Sequence, residues 1–285
     1  MGKKVSILDL QQKKQENKPI TMITAYDYPS AQLVDEAGAD IALVGDSVAM
    51  TVLGHPNTVA VTMEEMLHHC CAVARGTQRA FLIGDMPFLS YQVEQHEAIR
   101  NAGRFIKEAG MDAVKLEGGG HLVEVARAIA NAGIPVMGHL GLTPQTATQL
   151  GGYRVQAKTA PVAQQLLADA LALQESGCFA LVLEAIPAPV AEVVSQKLAI
   201  PTIGIGAGAG CDGQVLVFHD LLGLFTGFKP KFVKRYAELR KPMLAALQTY
   251  VQEVETRAFP SEEFAYKMEE EDLQIFLYGK QGASA

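Results

Sequence analysis

Four short apolar runs in this chain each end on a carboxylate. Residues 80–86 read AFLIGDM and carry Asp85; IALVGDS (41–47) carries Asp46, AVKLEGG (113–119) Glu117, and ALVLEAI (180–186) Glu184. Any one of these acids alone is most simply a helix N-cap or a solvated loop residue. Four at matching places point to a site. Converging carboxylates repel and raise one another's pKa. A hard divalent cation relieves that repulsion, and Mg²⁺ takes carboxylate and water oxygens in octahedral geometry. Coordination positions then stay open for a substrate with two oxygens, such as a 2-oxo acid, whose ketone the cation polarises toward an enolate. The sequence has no HExxH run and no Cys/His cluster with the spacing of zinc ligands, which argues against zinc. His139, near the end of VMGHLG (136–141), is a candidate substrate contact or equally a structural histidine.

These residues need elements that bring them together. The runs ITMITAYD (20–27), IALVGDS, AFLIGDM, AVKLEGG, VMGHLG, ALVLEAI, TIGIGAG (202–208) and QVLVFHD (214–220) are short and rich in Val, Ile and Leu. That is the mark of parallel strands covered on both faces. Amphipathic segments lie between them. In residues 93–110, Ile99, Ala102, Phe105 and Ala109 recur at helical steps, leaving Glu97, Arg100, Arg104 and Glu108 for solvent. Thr62 and Glu65 form a predicted capping box ahead of MEEMLHHCCAVARG. EAGADIALV, EAGMDAVKL, NAGIPVMGH and ESGCFALVL each place a helix-ending glycine before the next strand.

Eight strands alternating with helices predict an α/β fold, a single-domain (βα)8 TIM barrel, with a doubly wound sheet as the structural alternative. In a barrel all C-terminal strand ends share one rim, where Asp46, Asp85, Glu117 and Glu184 would meet. Strand alternation puts Lys115 and Glu117 on one face, with Val114 and Leu116 toward the helices. Residues 1–19 are expected to form an N-terminal segment with a short helix at SILDLQQKKQ, 20–260 the barrel, and 261–285 a C-terminal extension. The helices of 231–259 are expected to cover the barrel wall, and the tail YGKQGASA to fray at its end.

The 285 residues carry a net charge of −7, which leaves no overall footprint for nucleic acid. No run approaches the roughly 18–20 apolar residues of a membrane span, and the start lacks a signal-peptide pattern. Cys70, Cys71, Cys178 and Cys211 are not spaced like a disulfide framework and read as reduced thiols of a cytoplasmic protein.

The set VGDS (44–47), GDMPF (84–88), KLEGG (115–119), GHLGLTPQ (138–145) and GIGAG (204–208) resembles, in order and spacing, the ketopantoate hydroxymethyltransferases. The likeness runs from TAYDYPSA (24–31) to GLFTGFKPKFVKRY (223–236). It implies a Mg²⁺-dependent (βα)8 enzyme of pantothenate synthesis that moves a one-carbon unit from 5,10-methylenetetrahydrofolate to 3-methyl-2-oxobutanoate, giving 2-dehydropantoate. By resemblance, Asp46 and Asp85 ligate the metal and Glu117 joins them directly or through water. Asp46, Ser47, Asp85, Lys115 and His139 form the surroundings of the oxo acid, and Glu184 is the proton acceptor. Homo-oligomers, commonly decamers, are implied as well.

Three rivals stand beside this reading. Isocitrate lyase and phosphoenolpyruvate mutase types also use Mg²⁺ with 2-oxo acids, but a KKCGH-like loop is absent here. A phosphate-binding barrel is suggested by GIGAGAGCDG (204–213), whose backbone N–H groups are suited to phosphate. A scaffold whose rim acids only cap helices or hold metal is the third.

Overall fold

The apolar runs become strands because β-branched and leucine side chains are buried on both sides of the sheet. In the computed structural model, which describes residues 3–279, the strands are β1 (Ile20–Thr24), β2 (Ile41–Val44), β3 (Phe81–Asp85), β4 (Ala113–Lys115), β5 (Val136–Gly141), β6 (Ala180–Glu184), β7 (Thr202–Ile205) and β8 (Gly213–Leu216). All pairings are parallel and run in chain order, and β8 returns to β1 with Ile20 opposite Gly213. That last pairing closes the barrel and excludes the doubly wound alternative. The strands are shorter than the apolar runs. Asp85 and Glu184 end β3 and β6, whereas Asp46 and Glu117 stand just beyond β2 and β4.

The helices are α1 (Ile7–Gln15), α2 (Tyr28–Glu36), α3 (Val48–Thr51), α4 (Met63–Gly76), α5 (Gln95–Lys107), α6 (Leu122–Asn131), α7 (Ala160–Glu175), α8 (Ala188–Lys197), α9 (Phe218–Leu221), α10 (Arg240–Glu255) and α11 (Glu270–Tyr278). The predicted capping box at Thr62 and Glu65 opens α4. Ala102 and Phe105 of α5 are buried as expected, and Gly38 and Gly177 end their helices at φ +82° and +99°. The connection 206–212 between β7 and β8 contains no helix.

Two apolar layers follow from strand alternation. Met22, Ile41, Leu43, Phe81, Ile83, Ala113, Met137, Val182, Ile203 and Val215 fill the barrel interior. Ala42, Val44, Leu82, Val114, Leu116, Leu181 and Leu183 face outward onto Met66, Phe105, Ile129, Leu173 and Val194 of the helices. Asp85, Lys115, His139 and Glu184 have the parity of the interior set, so their side chains continue the inner ladder upward.

The expected helix at the start forms as α1, capped by Ser6 and Asp9. Its Leu10 is buried in the interior cluster, with Val5 and Ile7 beside it. Lysines from this segment reach acids that precede strands: Lys4 Nζ lies 2.8 Å from Asp112, Lys13 Nζ 2.6 Å from Asp40, and Lys14 Nζ 2.7 Å from Asp212. Asp40 also accepts from the Thr21 amide and hydroxyl. Burial pushes the Asp40 carboxyl up, but Lys13 and the Thr21 donors outweigh it and leave the pKa below the usual 3.8. A lowered carboxylate stabilises above its unfolded value and loses that contribution as pH falls through the folded one. Lys13→Met is therefore expected to cost about 1 kcal/mol at neutral pH, since Lys13 is partly exposed. The gap to wild type should narrow as pH falls below 3.8 and close once it passes the lower folded-state value, where Asp40 becomes neutral. Urea titrations of both proteins across this range check it; a gap independent of pH would refute the Asp40 linkage.

The chain divides into two compact units, Met1–Ala237 and Glu238–Ala285. The second holds α10 and α11. None of the residues of α10 is buried. The end of the YGKQGASA tail, 280–285, lies outside the described residues.

Candidate active site

The inner ladder delivers its polar members to one rim. Asp85 and Lys115 are register partners on β3 and β4, and Lys115 Nζ donates to both Asp85 oxygens at 2.7 Å. Two residues further on, Glu117 shares that face as alternation requires, its Oε1 3.4 Å from Lys115 Nζ. His139 of β5 brings Nδ1 to within 3.2 Å of the same Glu117 oxygen. Asp46, beyond β2, turns its backbone N–H onto Asp85 Oδ2 at 3.2 Å. One carboxylate oxygen from each of Asp46, Asp85 and Glu117 lies within 4.8 Å of the others, and all three residues are buried. Three of the four acids expected on the rim are thus gathered.

Glu184 stands apart from that trio. Its Oε2 is 3.3 Å from His139 Nε2, close enough for an ion pair, yet the approach is out of line for a hydrogen bond. His139 Nε2 is thus a buried polar atom without a hydrogen-bond partner, beside the most open acid of the set, whose side chain is 15% exposed. Gly141 makes this approach of β5 and β6 feasible: a Cβ there would lie 2.2 Å from the Glu184 carbonyl oxygen. Ser47, next to Asp46, pairs its hydroxyl with Tyr26 Oη at 2.8 Å.

The charges are strongly coupled. Burial, then the Asp85 and Glu117 charges, drive the Asp46 pKa well up. Asp85 is raised too, by burial ahead of the partly compensating Lys115. Burial also pushes Glu117 up, but Lys115 and His139 outweigh it and bring it to about 2. Burial and Lys115 oppose protonation of His139, while the charge and hydrogen bond of Glu117 carry it up to about 9. Lys115 is held charged by the three acids against its own burial. Lys115 and a charged His139 still fall short of three buried carboxylates, and the all-oxygen donor set suits a hard divalent cation such as Mg²⁺. On donor chemistry and spacing, Asp46, Asp85 and Glu117 fit that ion.

Two residues of this network carry no recognisable sequence signal. Tyr91 Oη accepts the Glu117 N–H at 3.0 Å, and Gln145 bonds both Asp46 and Glu117. Gln145 lies inside GHLGLTPQ, but nothing in that run marks it as polar support for acids on other strands. Tyr153, half exposed, has a pKa raised by burial and then by the charges of Asp46, Glu184 and Glu117.

The glycine run 204–213 has an explanation in packing. A Cβ at Gly206 would strike Phe232, at Gly208 Ala188, and at Gly210 Glu192. Close approach is by itself a sufficient reason for these glycines.

Comparison with known proteins agrees with this assembly. Residues 4–262 match the family model described as ketopantoate hydroxymethyltransferase. A 3-methyl-2-oxobutanoate hydroxymethyltransferase of Moorella thermoacetica is 57% identical over 264 residues, covering 93% of this chain and 98% of the relative. That of Carboxydothermus hydrogenoformans is 54% identical over 271 residues, covering 95% and 98%. Among solved structures, a phosphoenolpyruvate phosphomutase from Streptomyces platensis subsp. rosaceus superposes with TM-score 0.60 at 16% identity, covering 96% of this chain and 95% of that one. A phosphonopyruvate hydrolase solved with oxalate and Mg²⁺ gives TM-score 0.60 at 12% identity, with 95% of each chain covered. Those two likenesses show the shared fold alone. The extent of the sequence identity shows more: this chain belongs to the ketopantoate hydroxymethyltransferase family.

Proposed function

We propose that the protein transfers a one-carbon unit from 5,10-methylenetetrahydrofolate to 3-methyl-2-oxobutanoate, giving 2-dehydropantoate for pantothenate synthesis. Family membership supports the reaction, and the observation that carries the mechanism is the gathering of Asp46, Asp85 and Glu117 with Glu184 set to one side. A divalent cation held by the three acids would polarise the ketone of the oxo acid and stabilise negative charge on its oxygen.

The chain's own groups do the rest. Glu184 takes the proton from C3, a role suited to a carboxylate outside the cation-binding trio. Lys115, charged and fixed by Asp85, counters negative charge on the oxo acid. Ser47 and Asp46, adjacent at the start of α3, border the same substrate. The C3 carbon then bonds to the methylene carbon of the folate, the bonds from that carbon to the two folate nitrogens break, and water supplies the hydroxyl; the proton taken from C3 and the one released by that water end on the two freed nitrogens. His139 sits between Glu117 and Glu184 and fixes their separation. A cytoplasmic homo-oligomer belongs to the same proposal, resting on the family likeness; among the described residues no helix is long and apolar enough to cross a membrane.

Incubation with 3-methyl-2-oxobutanoate in deuterated water tests the chemistry. Loss of the C3 proton signal is expected with Mg²⁺ and not with EDTA, and 2-dehydropantoate is expected once methylenetetrahydrofolate is added. Cleavage or exchange with other oxo acids only would favour a lyase, and no reaction with any acid a scaffold.

A further inference from the structure

We propose that Gln145 is a positioning residue that orients Asp46 and Glu117 toward the cation, an inference that rests on reading the three acids as a cation site. Gln145 is 4% exposed, on the turn Pro144–Thr146 that follows β5. Its backbone N–H donates to Glu117 Oε2 at 3.1 Å. Its side-chain Nε2 donates to Asp46 Oδ2 at 3.1 Å and to the Met86 carbonyl at 2.9 Å. Its Oε1 accepts from Tyr91 Oη at 2.8 Å and Gln92 Nε2 at 3.3 Å. The amide has two donors on its oxygen side and two acceptors on its nitrogen side, so a flipped side chain would oppose like with like. The neutral side chain thereby ties its turn after β5 to the ends of β2 and β3, and the backbone N–H of the same residue holds Glu117 beyond β4.

The consequence lies in which oxygens remain free. Both Asp85 oxygens accept from Lys115, and Oδ2 accepts again from Asp46 N–H. Glu117 Oε1 faces Lys115 and His139, and Oε2 takes the Gln145 N–H. Asp46 Oδ2 is occupied by the Gln145 amide. Asp46 Oδ1 is then the one oxygen of the trio that accepts no hydrogen bond among the described residues. Gln145 turns that atom free while adding no charge; a lysine or arginine in its place would compete with the cation. Groups that hydrogen-bond to metal ligands typically set affinity by about 10–100-fold.

Mn²⁺ titration of the full chain without substrates, followed by electron paramagnetic resonance, measures this directly, with thermal melts in parallel. Gln145→Met keeps the length of the side chain and the backbone bond to Glu117 but removes the amide. Its Mn²⁺ affinity is expected to fall about tenfold. Tyr91→Phe, which touches no carboxylate, is expected to weaken binding less. The double variant should lose less affinity than the two single losses combined, because the Tyr91–Gln145 bond is counted in both, while Tyr91 also bonds the Glu117 backbone directly. A purely structural role would lower the melting temperature and leave Mn²⁺ affinity within twofold of wild type, which overturns the proposal. Should Gln145→Met not fold, Tyr91→Phe decides by itself: unchanged affinity there also overturns it. Wild type that binds Mn²⁺ no better than Asp46→Asn would instead sink the cation reading.

Discussion

Glu184→Gln is expected to abolish turnover, by roughly 10³-fold or more, the scale of a lost general base. The substitution keeps shape and removes the proton acceptor. Because Glu184 lies outside the trio of Asp46, Asp85 and Glu117, Mn²⁺ titration should match wild type. Binding of 3-methyl-2-oxobutanoate should also persist, since Lys115 and Ser47 are untouched. The diagnostic readout is C3 hydrogen–deuterium exchange followed by proton NMR, which precedes any involvement of folate. Exchange at the wild-type rate in the variant would remove Glu184 from the role of base. Loss of Mn²⁺ binding would show instead that this carboxylate belongs to the cation site.

The second large effect is on stability. Among the described residues Lys115 is the one cation in hydrogen-bond reach of Asp85, and both side chains are almost wholly buried, 5% and 2% exposed. Lys115→Met leaves Asp46, Asp85 and Glu117 facing one another without that charge. Breaking a buried pair by deleting one partner costs about 3–5 kcal/mol, which for a barrel of this size is a drop in melting temperature of roughly 10 °C. Added Mg²⁺ should narrow the loss, because a divalent ion supplies the missing positive charge to the same oxygens. Melts with Mg²⁺ and with EDTA measure the difference. An equal loss under both conditions would mean that the ion does not bind where the lysine is needed.

The mixture of interactions explains how far the primary structure could be read. Strand periodicity is local: Ala113, Lys115 and Glu117 alternate with Val114 and Leu116, and each set faces one environment along a few residues. The same locality made the capping box of α4, the helix-ending glycines and the shared face of Lys115 and Glu117 legible before any coordinates. The acids could be placed on one rim because a parallel barrel aligns all strand ends.

Other features depend on residues far apart in the chain. Closure required Ile20 to meet Gly213, and a hydrophobic run carries no record of its neighbours. The exposure of α10 could not be read either, since its Leu244, Leu247 and Val251 look like a core-facing stripe. The support of the acids was hidden for the same reason. Tyr91 and Gln145 are ordinary polar residues of loops after β3 and β5, and only folding brings their donors and acceptors within 3.3 Å of the ligands and of each other. Residue type and spacing thus established which side chains carry the chemistry and that they share an end of the barrel. Which oxygen each acid leaves free, and which charge balances it, depended on hydrogen bonds between strands and loops distant in sequence, whose strict dependence on distance and angle leaves no periodic trace in the chain.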